Sequence, residues 1–167
     1  ITKQLKEVVI PALERVSGVK FDIDRLREYL KESAKAEEDL VKVLQSGKNR
    51  PSPIDGFFGA VYYVGPIFSA YRGTREATQY YSLLRQEIEQ RVRDKKGPIT
   101  PEGELAEEKY RLVIEGTPCW TNFREFWKMF YDSGAVVVAS PYTKVGGVYD
   151  FGFRHDPERP LETLAEY

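Results

Sequence analysis

Cys119 is the only cysteine in the 167-residue sequence and the side chain with the widest chemical range. It stands in the run Arg111-Leu112-Val113-Ile114-Glu115-Gly116-Thr117-Pro118-Cys119-Trp120, where an apolar strand pattern breaks into a loop and a helix follows. The carboxyl end of a strand, just ahead of a helix amino terminus, is where α/β proteins tend to keep their chemistry. Free N–H groups and the dipole of a helix start favour thiolate over thiol, either to attack a substrate or to bind a metal. One thiol does not say which, and a buried structural cysteine is the third reading.

The nucleophile readings are thin. Cys119 and Arg124 are spaced Cys-x4-Arg, one residue short of the Cys-x5-Arg phosphate cradle of protein tyrosine phosphatases. Trp120 and Phe123 also stand where small residues would let backbone N–H groups close on a phosphate. A cysteine–histidine pair would need His155, the only histidine, which precedes Asp156-Pro157 in a charged stretch and reads as a surface loop residue. Gly146-Gly147 reads equally as a close backbone approach to a cofactor or substrate and as a turn, and Tyr142, Tyr149, Phe151 and Phe153 read as the packing of a long loop ahead of the wall of a site. Neither GxGxxG nor GxxxxGK[ST] occurs, so no sharp motif supports nucleotide phosphate binding.

The elements that must position Cys119 follow from a change of period along the chain. Leu5, Val9, Ala12 and Val16 recur at helical spacing, with a kink expected at Pro11 and a stop at Gly18. Ile23, Leu26, Leu30, Ala34, Glu37, Val41 and Leu44 keep one stripe, closed by Gly47, which predicts a core-facing helix in an antiparallel pair. The apolar, glycine-containing run from Asp55 to Ala70 suits a buried helix, and Tyr81, Leu84, Ile88 and Val92 mark an amphipathic one ending in the solvated run Arg91 to Lys96. After Gly97 to Gly103 the pattern alternates: a strand at Arg111 to Glu115, a helix from Phe123 to Asp132 with Asn122 and Glu125 as a capping box, and a strand at Ala135 to Ala139. The expected fold is therefore α/β, with helices over residues 1–96, a linker over 97–103, and a flavodoxin-like (Rossmann-like) parallel unit over 104–167 carrying the cysteine loop. One βαβ unit cannot cover both faces of a sheet, and the helical pattern from Pro160 breaks off at Tyr167, so a fragment of a longer protein is expected.

Composition narrows the class. Lys plus Arg number 25 against 26 Asp plus Glu, and the net charge of −1 gives no electrostatic reason to expect nucleic acid or an anionic membrane as partner. Hydrophobic residues at 41% suffice for a core. A single cysteine excludes an internal disulfide and fits a reducing compartment, so a cytoplasmic location is expected. The start Ile1-Thr2-Lys3-Gln4 has neither a signal-peptide core nor a membrane-length span.

Glu115-Gly116-Thr117-Pro118-Cys119-Trp120, its following helix, and Val136-Val137-Val138-Ala139 leading into Ser140-Pro141-Tyr142 resemble the C-terminal domain of the 2-hydroxyacyl-CoA dehydratase and benzoyl-CoA reductase family. Within that family the likeness is to the reductase branch. It covers about Arg111 to Tyr167, and the helices before it resemble the family's helical region in pattern alone. The resemblance implies that Cys119 is one of three cysteines holding a 4Fe-4S cluster in the intact protein, with the other two outside this chain. It implies, as partners, a homologous second subunit, an ATP-dependent electron-donating activator and an acyl-CoA substrate. The chemistry implied is anaerobic, a low-potential electron passing to the thioester as a ketyl-type radical, with ring reduction or loss of water as the outcome. This chain alone, offering one thiolate, is expected to carry no cluster and no activity. The alternative from another class is a non-catalytic scaffold subunit in which Cys119 is merely packed.

Overall fold

The computed structural model describes residues 1–56, 71–100, 103–105, 107–116, 119–140 and 154–166. The expected helix over Asp55 to Ala70 falls almost wholly outside them, as do the Gly146-Gly147 turn and its neighbouring aromatics.

The chain starts with helix α1 (Thr2–Gln4), a π-helical turn at Leu5–Val9, and helix α2 (Ile10–Ser17). The irregularity expected at Pro11 is absorbed just before it, where the Ile10 N–H donates to Leu5 O across the wider π turn. A proline lacks the N–H of a regular helical turn and crowds the carbonyl four residues back, and the wider turn relieves both. Gly18 then ends the helix in the left-handed region at φ 70°, its N–H donating to Glu14 O at 2.9 Å.

Helix α3 (Ile23–Gln45) begins at Asp22, whose carboxylate accepts from the Asp24 and Arg25 N–H groups at 2.9 and 3.1 Å. Helix α4 (Arg75–Arg93) begins at Thr74, whose hydroxyl accepts from the Ala77 N–H. The two pack through Ala36, Leu40 and Val43 on one side and Tyr81, Leu84 and Ile88 on the other, with Ile54 closing the cluster. Their relative direction corrects the expected antiparallel pair. Thr78 Oγ1 donates to Glu32 O at 3.0 Å and Arg85 Nε lies 3.0 Å from Asp39 Oδ1. Both partners advance by seven residues, so α3 and α4 run parallel. A hydrophobic period reports a face and carries no direction.

The buried stripe of α3 is Leu30, Ser33, Ala36, Glu37, Leu40 and Val43. It lies about one position before the expected one, leaving Val41 and Leu44 at the flank of the core. Small side chains at Ser33 and Ala36 let α4 come close enough for the Thr78 bond, while Leu40 and Val43 fill the core beyond it. Gly47 does not close α3 as a left-handed cap. The chain continues as a 3₁₀ turn over Ser46–Lys48, and a Cβ on Gly47 would stand 2.5 Å from Val138 O.

Where a linker was expected, β1 (Ile99–Thr100) and β2 (Gly103–Glu104) form a short antiparallel hairpin, with Ile99 opposite Glu104. Strands β3 (Tyr110–Val113) and β4 (Ala135–Ala139) then pair in parallel, Tyr110 opposite Ala135 and Leu112 opposite Val137. Helix α5 (Phe123–Asp132) is the crossover between them, and α6 (Pro160–Glu166) is the last element. The parallel βαβ unit makes the fold α/β, as the sequence led us to expect. Val136 and Val137 are buried, and a Cβ on Gly56 would meet Trp127 and Val137 at 2.6 and 2.9 Å. The helical half and the sheet therefore meet at a tight seam.

Candidate functional site

The register of β3 on β4 slips by one residue between Leu112 and Val113, and the chain leaves the strand still bonded to its neighbour, the Ile114 N–H donating to Ala139 O at 3.2 Å. Gly116, at φ 102°, turns the chain in a conformation that side chains rarely adopt, and open space surrounds its Cβ position. Thr117 and Pro118 lie outside the described residues. Cys119 follows at the head of a 3₁₀ turn (Trp120–Asn122), its carbonyl accepting from the Asn122 N–H at 3.2 Å. It thus stands between the carboxyl end of β3 and the start of α5, as its sequence position implied.

Asn122 occupies the position before α5, and its side chain makes no capping bond. The expected capping box with Glu125 is not formed. The 3₁₀ turn winds the chain into the helix, and at ψ 45° Asn122 departs from the extended backbone that an N-cap side chain needs to reach forward.

Among the described residues the thiol is exposed. Its polar neighbour is Thr121, Sγ to Oγ1 3.8 Å. Trp120 stacks on Phe123 at 4.9 Å between ring centroids and 17° between planes, and Phe123 meets Trp127 edge-on at 6.2 Å. Trp127 is buried and reaches the seam at Gly56. A row of rings thus runs from the residue beside the thiol into the core and stiffens the loop's exit into α5. Arg124, the cation of the phosphatase-like spacing, is exposed on the first turn of α5.

His155 is not the surface residue expected. It is only 7% exposed, and burial together with the nearby Arg72 guanidinium lowers its imidazole pKa. Its charged surroundings in sequence are satisfied elsewhere: Asp156 Oδ1 accepts the Glu158 N–H, and Arg159 pairs with Glu166 at 2.6 Å. Cys119 at the surface and His155 in an enclosed position occupy different environments.

Arg72, itself exposed, reaches a buried carboxylate in a pairing that the sequence reading did not foresee. Glu37, 3% exposed on the core face of α3, accepts from Ser33 Oγ at 2.7 Å, and Arg72 Nη2 lies 3.4 Å from the same oxygen. Tyr81 is buried nearby; burial raises its phenol pKa, Tyr80 adds to the rise, and Arg72 opposes it. A carboxylate inside an otherwise apolar stripe was the signal for this pairing. Among the described residues no set of three or more His, Cys, Asp or Glu side chains is placed to hold a metal ion. Cys119 alone can therefore contribute one thiolate and no more to a metal centre.

The family model described as 2-hydroxyglutaryl-CoA dehydratase, D-component, matches residues 1–167. The chain is 74% identical to a subunit of the benzoyl-CoA reductase of Thauera aromatica over 167 residues, all of this chain and 39% of that protein. It is 31% identical to the (R)-phenyllactyl-CoA dehydratase alpha subunit of Clostridium sporogenes over 139 residues, 83% of this chain and 32% of that one. It is 34% identical to the (R)-2-hydroxyisocaproyl-CoA dehydratase alpha subunit of Clostridioides difficile over 138 residues, 81% of this chain and 32% of that one. The chain thus spans about two fifths or less of the length of these curated relatives. With its whole length matched by one family, the chain belongs to the 2-hydroxyglutaryl-CoA dehydratase D-component family.

Proposed function

We propose that this chain is part of an iron-sulfur subunit of a benzoyl-CoA reductase, an anaerobic cytoplasmic enzyme that reduces the aromatic ring of its thioester, and that Cys119 is one ligand of its 4Fe-4S cluster. The observation that carries the reading is the identity of 74% to the benzoyl-CoA reductase subunit of Thauera aromatica, against 27 to 34% to three dehydratase alpha subunits. Partners on this reading are a homologous second subunit, an ATP-dependent activator that donates the electron, and the acyl-CoA substrate.

Cys119 fits the role of a single ligand: it is a free, exposed thiol on a loop fixed at both ends, by the β3–β4 ladder and by the Trp120–Phe123 stack. A bound cluster would supply low-potential one-electron chemistry, and its remaining ligands would come from outside the described residues. The chain's own contribution is the thiolate, carried at the head of the turn into α5 beside the Trp120–Phe123 stack.

The test is Cys119→Ser in the intact complex. A serine hydroxyl is a harder and far less acidic ligand than a thiol, so iron and sulfide measured anaerobically should fall and acyl-CoA turnover should be lost. The circular dichroism of the helical region should be unchanged, because the substitution is nearly isosteric and the site is exposed. Unchanged cluster content and activity would remove Cys119 from the mechanism.

A further inference from the structure

Residues 2–17 form a helical stretch with no buried residue, although Val9, Leu13 and Val16 follow the i, i+4, i+7 spacing of a core-facing helix. These three are 41, 62 and 87% exposed, and Val8 beside them is 62% exposed. We propose that this stripe is a docking face for the part of the subunit's own polypeptide that lies outside the region matching residues 1–167.

Three observations converge on that occupant. The helix is already held in place by polar contacts that leave the stripe uncovered: Lys6 Nζ donates to Glu162 on α6 at 3.1 Å, and Glu14 accepts from the Phe21 N–H at 2.8 Å and from Lys20 at 3.2 Å. An isolated helix of this length is marginal in water and depends on packing its apolar face, so a fixed and uncovered stripe is a half-built interface. The 74%-identical relative has 39% of its length in the matched region, which leaves most of a polypeptide to supply the covering face. The chemistry of the stripe favours that source over a separate subunit. From Leu5 to Val16 its apolar residues are Leu, Val, Ile and Ala, with no Trp, Tyr, Phe or Met. Interfaces between separate chains concentrate aromatic residues and Met in their buried centres, whereas a purely aliphatic stripe has the composition of a core within one chain.

Hydroxyl-radical footprinting of the unmodified full-length subunit, read by mass spectrometry at Leu13 and Val16, tests the proposal with the subunit alone and in its complex. Val19, 64% exposed just beyond Gly18, serves as the internal reference. With the subunit alone, Leu13 and Val16 should be oxidised about tenfold less than Val19 after correction for intrinsic reactivity, the factor set by a face covered nine-tenths of the time. Thiol labelling of L13C and V16C against K20C should show the same contrast. Oxidation equal to Val19 in both states would overturn the proposal, and protection appearing in the complex alone would assign the face to the partner subunit and overturn it as well.

Discussion

Glu37 places a carboxylate where the stripe of α3 would otherwise bury an apolar side chain, and its partners come from two sides, Ser33 one turn back and Arg72 just before α4. Only the carboxylate of this pair is buried, and Arg72, 35% exposed, stays solvated when Glu37 is removed. Glu37→Ala is therefore expected to destabilise the fold by about 1–2 kcal/mol, through loss of the charge-assisted bond from Ser33. Urea unfolding of the two forms checks it. His155 responds to the same neighbourhood in the opposite sense. Burial and then Arg72 lower its folded pKa below the ordinary 6.5, so the unfolded chain binds the proton more readily. Its stabilising contribution is full above the unfolded value and is lost as pH falls through 6.5 toward the lowered folded value. Wild type should lose stability relative to His155→Gln as pH falls from neutrality through the unfolded value of 6.5, measured as the difference in urea midpoints, and a constant difference would refute the assignment. His155 could not be placed from sequence: the charge beside it suggested solvent, whereas its enclosure comes from packing. Glu37 stood in the stripe read as core-facing and is buried there, and what the stripe did not carry was Arg72, the partner that reaches it.

The secondary elements were the most legible layer, because each has a local cause. Asp22 and Thr74 cap α3 and α4, β-branched residues fill β4, and α5 begins at Phe123 where the apolar pattern resumes. The cysteine loop was legible for the same reason, since a strand followed by a helix fixes a turn between them. What local pattern could not supply was geometry set by a neighbour: the rotation of the α3 stripe toward Ser33 and Ala36, the π turn ahead of Pro11, and the reason for Gly47. That glycine reads as a helix stop, yet its position is dictated by Val138, whose carbonyl oxygen would stand 2.5 Å from an added Cβ. Gly47→Ala is expected to cost about 2 kcal/mol through forced separation of the 3₁₀ turn from β4. Thermal unfolding checks it, and a stability equal to or above that of wild type would show that the contact relaxes freely.

Arg111 joins the helical half to the α/β unit. Arg111 on β3 donates to Asn49 O at 2.9 Å and also bonds Gly47 O and Glu108, while Glu108 Oε2 accepts the Ser52 N–H at 2.6 Å. Both tryptophans, Trp120 and Trp127, lie in the α/β unit, so their fluorescence follows that half while far-ultraviolet circular dichroism follows α3 and α4. In wild type the two signals should give one coincident denaturant transition. Arg111→Ala, which removes charge-assisted bonds worth about 1.5–3 kcal/mol each when buried, should move the fluorescence transition to lower denaturant and separate the two. Continued coincidence would mean that apolar contact at Gly56 and Trp127 is enough to couple the halves. The parallel pairing of α3 and α4 also has a consequence in time. Glu32 and Asp39 of α3 each meet a partner 46 positions later, Thr78 and Arg85, so no tight turn can nucleate the pair. At roughly 5–20 residues per second of synthesis, α3 leaves the ribosome seconds before the face that will cover Leu40 and Val43 exists. During that interval Leu40 and Val43 on the nascent helix lack the face that covers them, an interval that a hairpin of the same two helices would shorten.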